Sequence, residues 1–222
     1  DLKTPLTSMV SYVDLLKTEG LDSENAPEYL DIIEEKTKRL QKLTEDLFEA
    51  AKASSGAIPV DIGRIEMTSI VNQALGELEE RLAANDLDVI FTNKADTVFV
   101  MADGQLLWRV IENLLVNVSK YALPGSRVYM DIIEKAGMIV LEVKNMSKEQ
   151  LNISADELME RFKRGDESRN TEGSGLGLSI AKDLTKLMGG WFEITIDGDL
   201  FKASVALDKA QNVESFDNNM EI

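Results

Sequence analysis

The first 55 residues carry apolar side chains at helical spacing and predict two helices. Along the first helix the apolar positions form a single stripe: Leu6, Met9, Val10, Val13 and Leu16. The second helix is predicted from about Pro27 to about Ala53, with near-heptad apolar positions at Leu30, Ile33, Leu40 and Leu47. Since two helices alone cannot bury these surfaces, we expect a helical hairpin that dimerises into a four-helix bundle. Packing of the hairpin on its own C-terminal domain is the alternative.

The segment SSGAIP at 54–59 interrupts the helical pattern and predicts a domain boundary between 1–55 and 60–208. Beyond it, helical and strand patterns follow one another, which indicates an α+β domain. Helices are predicted at 67–84, 103–122 and 176–188, and strands at 88–92, 97–101, 127–133, 138–144, 191–196 and 200–206. The polar tail 209–222 is expected to be disordered.

Composition then narrows the classes of function. The formal net charge of −16 argues against nucleic acid as a partner, because a binding face needs clustered lysine and arginine. The chain has no cysteine and no histidine, which excludes disulfides, thiolate catalysis, Cys- or His-based metal sites and Ser-His-Asp triads within it. No apolar run approaches the roughly 20 residues that span a bilayer, so we expect no membrane contact by this chain. The sequence begins within a predicted helix, has no initial Met and shows no signal peptide. These features predict that it is a fragment of a longer protein.

The run GSGLGL at 173–178 leads directly into a predicted amphipathic helix. Glycine permits close approach of the backbone to a ligand, and a helix N-terminus offers N–H groups and a partial positive charge that suit phosphate. The run matches neither the P-loop nor the dinucleotide-binding spacing. Glycines also serve as plain turns, so the run alone leaves its role open.

The helix predicted at 103–122 carries a polar stripe at spacing i, i+4, i+7 and i+8, made of Asn113, Asn117, Lys120 and Tyr121. Amide oxygens can ligate a hard cation such as Mg²⁺. A lysine can meet phosphate, and a tyrosine ring can lie against a base or ribose. A solvated face of an amphipathic helix is the alternative.

Taken together, four motifs resemble those of bacterial sensor histidine kinases. The segment NLLVNVSKYA at 113–122 is similar to their N box, MERFKRGD at 159–166 to their F box, and GSGLGL at 173–178 to their second glycine box. The opening DLKTPLT at 1–7 resembles the segment that directly follows the phosphoaccepting histidine. The motifs occur in the family's order and span nearly the whole chain.

The resemblance implies a fold and a reaction. The fold is a dimeric helical hairpin followed by a two-layer α/β sandwich with a mixed sheet, the ATP-binding domain shared with gyrase, Hsp90 and MutL. The reaction transfers the γ-phosphoryl group of ATP to a histidine and then to an aspartate of a response regulator receiver domain. The family further implies phosphatase activity and a longer, membrane-anchored bacterial sensor of which this chain is a cytoplasmic portion.

The resemblance also assigns the site residues, with ATP and Mg²⁺ as cofactors. Asn117 and Asn113 are expected to hold Mg²⁺ and the phosphates, Lys120 to contact phosphate, and Tyr121 to pack on the nucleoside. Arg164 is expected to meet the γ-phosphate, where positive charge stabilises the transition state. Gly173, Gly175 and Gly177 are expected to let the lid at about 165–175 close and present backbone N–H groups. Leu176 and Leu178 of the same run are also expected to contact the nucleotide.

Asn113 separates kinase from ATPase within this superfamily. In the related ATPases the equivalent position usually holds a glutamate that activates water. An amide cannot act as that base, so hydrolysis by this route is disfavoured. An ATP-driven clamp, such as a repair or topoisomerase ATPase, therefore conflicts with Asn113 and with a bundle-forming hairpin.

Two departures from the family pattern matter. The phosphoaccepting histidine is absent, and the match places it one residue before Asp1. In the family, Asp1 would polarise that histidine, and Thr4 would orient water during dephosphorylation of the regulator. As alternatives, Asp1 is a good helix-start residue and Thr4 can serve as a cap.

The first glycine box is the second departure. Where the family usually has Asp-x-Gly-x-Gly, this chain has NMSKE at 145–149. The Asn145 carbonyl can still accept a hydrogen bond from the adenine amino group, although Asn145 can also simply cap a strand end. The lost glycines leave a second function open, a nucleotide-binding signalling module without kinase activity.

Overall fold

The computed structural model describes residues 2–93, 97–152, 154–159 and 175–211. Its N-terminal part is an antiparallel pair of helices, α1 (Lys3–Glu19) and α2 (Ala26–Ser55). Pro5 lies in the first turn of α1, where its missing N–H breaks no helical hydrogen bond. Helix α2 ends at Gly56, which takes the left-handed conformation (φ 69°) and donates its N–H to the Ala53 carbonyl.

Only one side of the hairpin is buried by its own two helices. Pro5, Leu16, Ala26 and Leu43 are buried between them, and the rings of Tyr12 and Tyr29 lie 5.5 Å apart. A second set of apolar side chains remains exposed along both helices, namely Leu6, Val10, Val13, Leu30 and Leu47. The sequence stripe therefore supplies more apolar surface than one hairpin buries.

The rest of the chain forms an α+β domain around a mixed sheet. Its strands are β1 (Gly63–Glu66), β2 (Asp88–Asn93), β3 (Phe99–Ala102), β4 (Arg127–Lys135), β5 (Met138–Met146), β6 (Trp191–Asp197) and β7 (Leu200–Asp208). Its helices are α3 (Met67–Glu77), α4 (Glu79–Ala83), α5 (Gly104–Tyr121), α6 (Ala155–Met159) and α7 (Gly177–Leu187). Five strands pair in the order β2-β4-β5-β7-β6, and β1 pairs with β3 in a separate ribbon.

The helices cover one face of the five-stranded sheet. The β2–β4 pair is parallel and the other pairs are antiparallel. Leu107, Ile111 and Leu114 of α5 and Leu184 of α7 are buried with alternate strand residues such as Leu141. The predicted fold class, a helical hairpin followed by a two-layer α/β domain with a mixed sheet, is confirmed.

Three details of the fold differ from the sequence-based predictions. The helix expected at 67–84 breaks at Leu78, which takes φ −105° and ψ 7°, two residues after a helix-weakening glycine. Strand β1 and helix α6 were not predicted, since each is too short to show a period. The tail does not begin at Lys209: that residue bridges to Val100, and the buried Ala210 donates its N–H to the Phe99 carbonyl.

Among the described residues, no helix combines the length and apolar character needed to cross a membrane.

Candidate functional site

The polar stripe lies on α5, whose start is fixed by Asp103. The Asp103 carboxylate accepts hydrogen bonds from the N–H groups of Gln105 (2.9 Å) and Leu106 (3.1 Å) in the first turn of α5. It also accepts a hydrogen bond from the N–H of Asp61 (2.9 Å), which lies in the segment between α2 and β1. This bond holds that segment against the start of α5. Burial alone would raise the pKa of Asp103, but the three N–H donors outweigh it and lower the pKa.

All four stripe residues, Asn113, Asn117, Lys120 and Tyr121, are half-buried on one face of α5. The opposite face of α5 is packed into the core, so the orientation of the helix about its own axis is fixed. Asn113 donates its Nδ2–H to the carbonyl of Arg109 at 2.9 Å, which directs its Oδ1 towards the start of α7. A Cβ atom added to Gly177 would lie only 3.2 Å from that oxygen. The structure thus brings Asn113 and the glycine run together.

The glycine run ends in the first turn of α7. Gly175 takes a positive φ of 69°, a conformation that favours glycine. Leu176 is fully buried and offers no capping side chain, and the Ser179 hydroxyl donates to the Leu176 carbonyl at 2.8 Å. Leu178 packs partly on the core. The turn therefore presents backbone N–H groups rather than side chains, the arrangement that suits an anion.

Asn145 lies at the end of β5, next to the C-terminus of α5. Hydrogen bonds from Leu123 N–H to the Met146 carbonyl (2.8 Å) and from Lys148 N–H to the Tyr121 carbonyl (2.9 Å) join the two elements. Asn145 is 3% exposed, and its Nδ2 donates to the Met146 carbonyl at 3.1 Å. Its Oδ1 is buried and accepts no hydrogen bond from the described part of the chain. Such an acceptor is costly unless a ligand or water satisfies it.

The remaining predicted residues are distributed as follows. Thr4 is exposed in the first turn of α1, where a second protein can reach it. Asp1, Arg164 and Gly173 lie outside the described residues.

An ion-pair cluster next to Asn113 was not predicted from the sequence. The Arg109 guanidinium on α5 bonds both Glu49 of α2 and Glu112 of α5. Hydrogen bonding to Glu49 is the main cause that raises the pKa of Arg109, so the guanidinium remains charged at every physiological pH. The only local sequence signal for this cluster is that Arg109 lies one helical turn before Asn113. Glu49, the main partner of Arg109, is distant in sequence.

The donor set fits a nucleotide with a hard cation. Within the described ranges, no cluster of three or more carboxylates forms a protein-only metal site. Two amide oxygens on α5 and phosphate oxygens supply the kind of ligand set that Mg²⁺ takes in nucleotide sites. The orphaned Oδ1 of Asn145 matches a ligand that carries an N–H donor.

Two family models match the chain. One, described as "His Kinase A (phospho-acceptor) domain", matches residues 1–56. The other, described as "Histidine kinase-, DNA gyrase B-, and HSP90-like ATPase", matches residues 102–211. Together they define a phosphoacceptor hairpin joined to an ATP-binding domain.

Curated relatives are sensor kinases. The sensor protein kinase WalK of Staphylococcus saprophyticus is 27% identical over 195 residues, which are 86% of this chain and 32% of that protein. The sensor histidine kinase YvrG of Bacillus subtilis is 27% identical over 197 residues, which are 87% of this chain and 34% of that protein. The chain thus spans about a third of the length of these relatives. It belongs to the sensor histidine kinase family.

Solved structures share the fold. The histidine kinase AdeS of Acinetobacter baumannii has a TM-score of 0.76 at 16% identity, covering 95% of this chain and 98% of that one. The histidine kinase ThkA, solved in complex with the response regulator protein TrrA, has a TM-score of 0.66 at 17% identity and covers 93% of this chain and 58% of that one.

Proposed function

We propose that this chain is the core of a sensor kinase that binds Mg-ATP and transfers the γ-phosphoryl group to a histidine immediately before Asp1. The phosphoryl group then passes to an aspartate of a response regulator, and the same hairpin also supports dephosphorylation of that regulator. The observation that carries the proposal is the buried, unsatisfied Oδ1 of Asn145 beside the end of α5. The adenine amino group is a donor of the kind that this oxygen lacks.

The rest of the nucleotide extends from Asn145 along α5 to α7. Tyr121 packs on the nucleoside, and Lys120 contacts phosphate. Asn117 and Asn113 turn their amide oxygens to Mg²⁺, which neutralises phosphate charge when bound. This role is supported by the hydrogen bond from Asn113 Nδ2–H to the Arg109 carbonyl, which directs Oδ1 towards the start of α7.

The glycine run and the lid complete the phosphate site. The first turn of α7 directs its N–H groups at the phosphates, with Gly177 close enough to Asn113 for both to act on one group. The other residues of the glycine run that we assign to nucleotide binding are Gly173, Gly175, Leu176 and Leu178. Arg164 contributes positive charge at the γ-phosphate, where a loose transition state accumulates negative charge.

The hairpin supplies the acceptor chemistry. The Asp1 carboxylate accepts a hydrogen bond from the N–H of one histidine ring nitrogen. The other ring nitrogen, which attacks the phosphoryl group, therefore remains unprotonated. Thr4 is exposed in the first turn of α1 and orients a water molecule when the regulator is dephosphorylated. Because Asn113 is an amide and not a carboxylate, the site lacks the base that would direct ATP to hydrolysis.

The partners follow from the exposed surfaces. The apolar set Leu6, Val10, Val13, Leu30 and Leu47 is the face that a second copy covers in a four-helix bundle. A receiver domain docks on the hairpin, by analogy with ThkA, which was solved in complex with the response regulator protein TrrA. The longer protein is a membrane-anchored bacterial sensor, and this chain is its cytoplasmic portion.

The decisive experiment adds a histidine directly before Asp1 and incubates the protein with γ-labelled ATP and Mg²⁺. Label that is acid-labile and base-stable is expected, and it should be lost when that histidine is replaced by glutamine. Asn117→Ala should abolish labelling while leaving the fold intact. ATP binding without label would instead favour a nucleotide-binding signalling module that lacks kinase activity.

A further inference from the structure

Arg109 joins the hairpin to the α+β domain. Its Nε donates to Glu49 Oε1 at 3.0 Å and its Nη2 bonds the other oxygen of the same carboxylate. Its Nη1 donates to Glu112 Oε2 at 2.9 Å. The side chains of Arg109 and Glu49 are 32% and 19% exposed, so this pair is less screened than a surface ion pair. A guanidinium fork held by two carboxylates on two helices has a fixed orientation.

The main chain of Arg109 continues this connection to the nucleotide site. Its carbonyl accepts the Asn113 Nδ2–H at 2.9 Å, and Asn113 Oδ1 lies against the start of α7 at Gly177. A shift of α2 relative to α5 must therefore break the Glu49 contact or move the turn of α5 that orients Asn113.

The same stretch of α2 also packs on the domain core. Ala50 and Ala53 are only 1% and 3% exposed and belong to the cluster that contains Leu176 and Ile180 of the glycine run and α7. The end of α2 thus touches both sides of the phosphate region: α5 through Arg109, and α7 through the core.

We propose that Arg109 is a positioning residue, through which the hairpin residue Glu49 sets the orientation of Asn113 and hence the affinity for Mg-ATP. The inference rests on the proposed function in that it takes Asn113 and Gly177 as parts of the nucleotide site. Because coupling between two sites is reciprocal, bound nucleotide also stabilises the contact between hairpin and domain.

The test measures the Kd of Mg-ATP by calorimetry on the whole chain with Glu49→Gln, Arg109→Gln and the double variant. Each single variant should weaken binding about fivefold, the lower end of typical coupling. The double variant should bind no more weakly than the worse single variant, because both remove the same ion pair. Arg109→Lys should lie between wild type and Arg109→Gln, since lysine keeps the charge but loses the fork.

Glu45→Gln is the matched control. Glu45 lies one turn before Glu49 on α2, is exposed, and accepts a hydrogen bond from its helix neighbour Gln41 at 3.0 Å. This contact stays within α2 and does not reach the α+β domain. The Kd of the Glu45 variant should therefore equal that of wild type.

Three results would overturn the inference in a wild-type chain that binds Mg-ATP. These are an unchanged Kd in both single variants, additive effects in the double variant, or a lower melting temperature with no change in Kd, which would make the ion pair purely structural. Failure of the wild-type chain to bind Mg-ATP would instead contradict the proposed function.

Discussion

At the scale of single residues, Asn145 is a neutral amide where related kinases usually carry a carboxylate. Its Nδ2 is bonded to the Met146 carbonyl, so Oδ1 is the atom left for a ligand. An amide oxygen accepts a hydrogen bond from an amino group, but it cannot bond a carbonyl oxygen, which is also an acceptor. We therefore expect the site to prefer adenine over guanine, whose corresponding group is a carbonyl oxygen.

Asn145→Ala should weaken ATP binding about tenfold, or about 1.4 kcal/mol, because the hydrogen bond to a buried acceptor oxygen is lost. Calorimetric titration of the whole chain measures the effect, and GTP serves as the control ligand. We expect wild type to bind GTP weakly, and Asn145→Ala should leave that affinity unchanged. Equal ATP affinity in the variant and wild type would show that Asn145 only closes the end of β5.

Gly177 offers a second test, of the contact between α7 and Asn113. The added Cβ of Gly177→Ala would lie 3.2 Å from Asn113 Oδ1, so the amide must shift. Mg-ATP affinity should fall several-fold, while stability should hold or rise because alanine favours a helix over glycine by about 0.5–1 kcal/mol. Gly76→Ala in α3, which meets no atom within 4 Å, is the control that raises stability alone. Weaker folding of the Gly177 variant with normal affinity would contradict this role.

At the scale of elements, α5 carries most of the site, and Asp103 fixes where it starts. Asp103→Ala should lower the free energy of unfolding by about 1 kcal/mol near neutral pH, since three N–H groups lose their acceptor. The folded-state pKa of Asp103 is depressed. Its contribution is therefore present above the unfolded pKa of about 3.9 and is lost as pH falls through the folded value.

Urea unfolding measured from about pH 7 to about pH 3 checks this prediction. The difference in stability between wild type and Asp103→Ala should shrink on acidification. Asp103→Asn keeps an acceptor oxygen without a titrating group, so it should retain most of the stability and show a flatter pH dependence. A difference that is constant with pH would mean that the carboxylate charge contributes nothing to the cap.

The long helices and strands could be predicted from the sequence because their buried apolar residues recur at a regular spacing along the chain. The stripe of Asn113, Asn117, Lys120 and Tyr121 is equally local, since all four lie on one helix. The short β1 has Ile65 as its only large apolar residue, which no periodicity can reveal. The pairing of Arg109 with Glu49 joins positions 60 residues apart, and the isolation of Asn145 Oδ1 depends on how strands and α5 pack. Such facts exist only in the folded chain.

At the scale of the whole molecule, the hairpin presents an apolar face on a chain with a net charge of −16. That charge opposes self-association, and added salt screens it. The exposed set Leu6, Val10, Val13, Leu30 and Leu47 must therefore supply enough apolar burial to overcome the repulsion. We expect a dimer that becomes tighter as salt is raised.

Val10→Asp tests that face directly, because Val10 is 54% exposed near the middle of the α1 stripe. In a two-fold dimer each substitution occurs twice, so losing about 1.5 kcal/mol of burial per copy should raise the dissociation constant about a hundredfold. Sedimentation equilibrium at several salt concentrations measures it. Leu21→Asp is the matched control, since Leu21 is 74% exposed in the turn between the helices and off the stripe. A dimer that survives Val10→Asp, or that Leu21→Asp disrupts equally, would place the interface elsewhere on the chain.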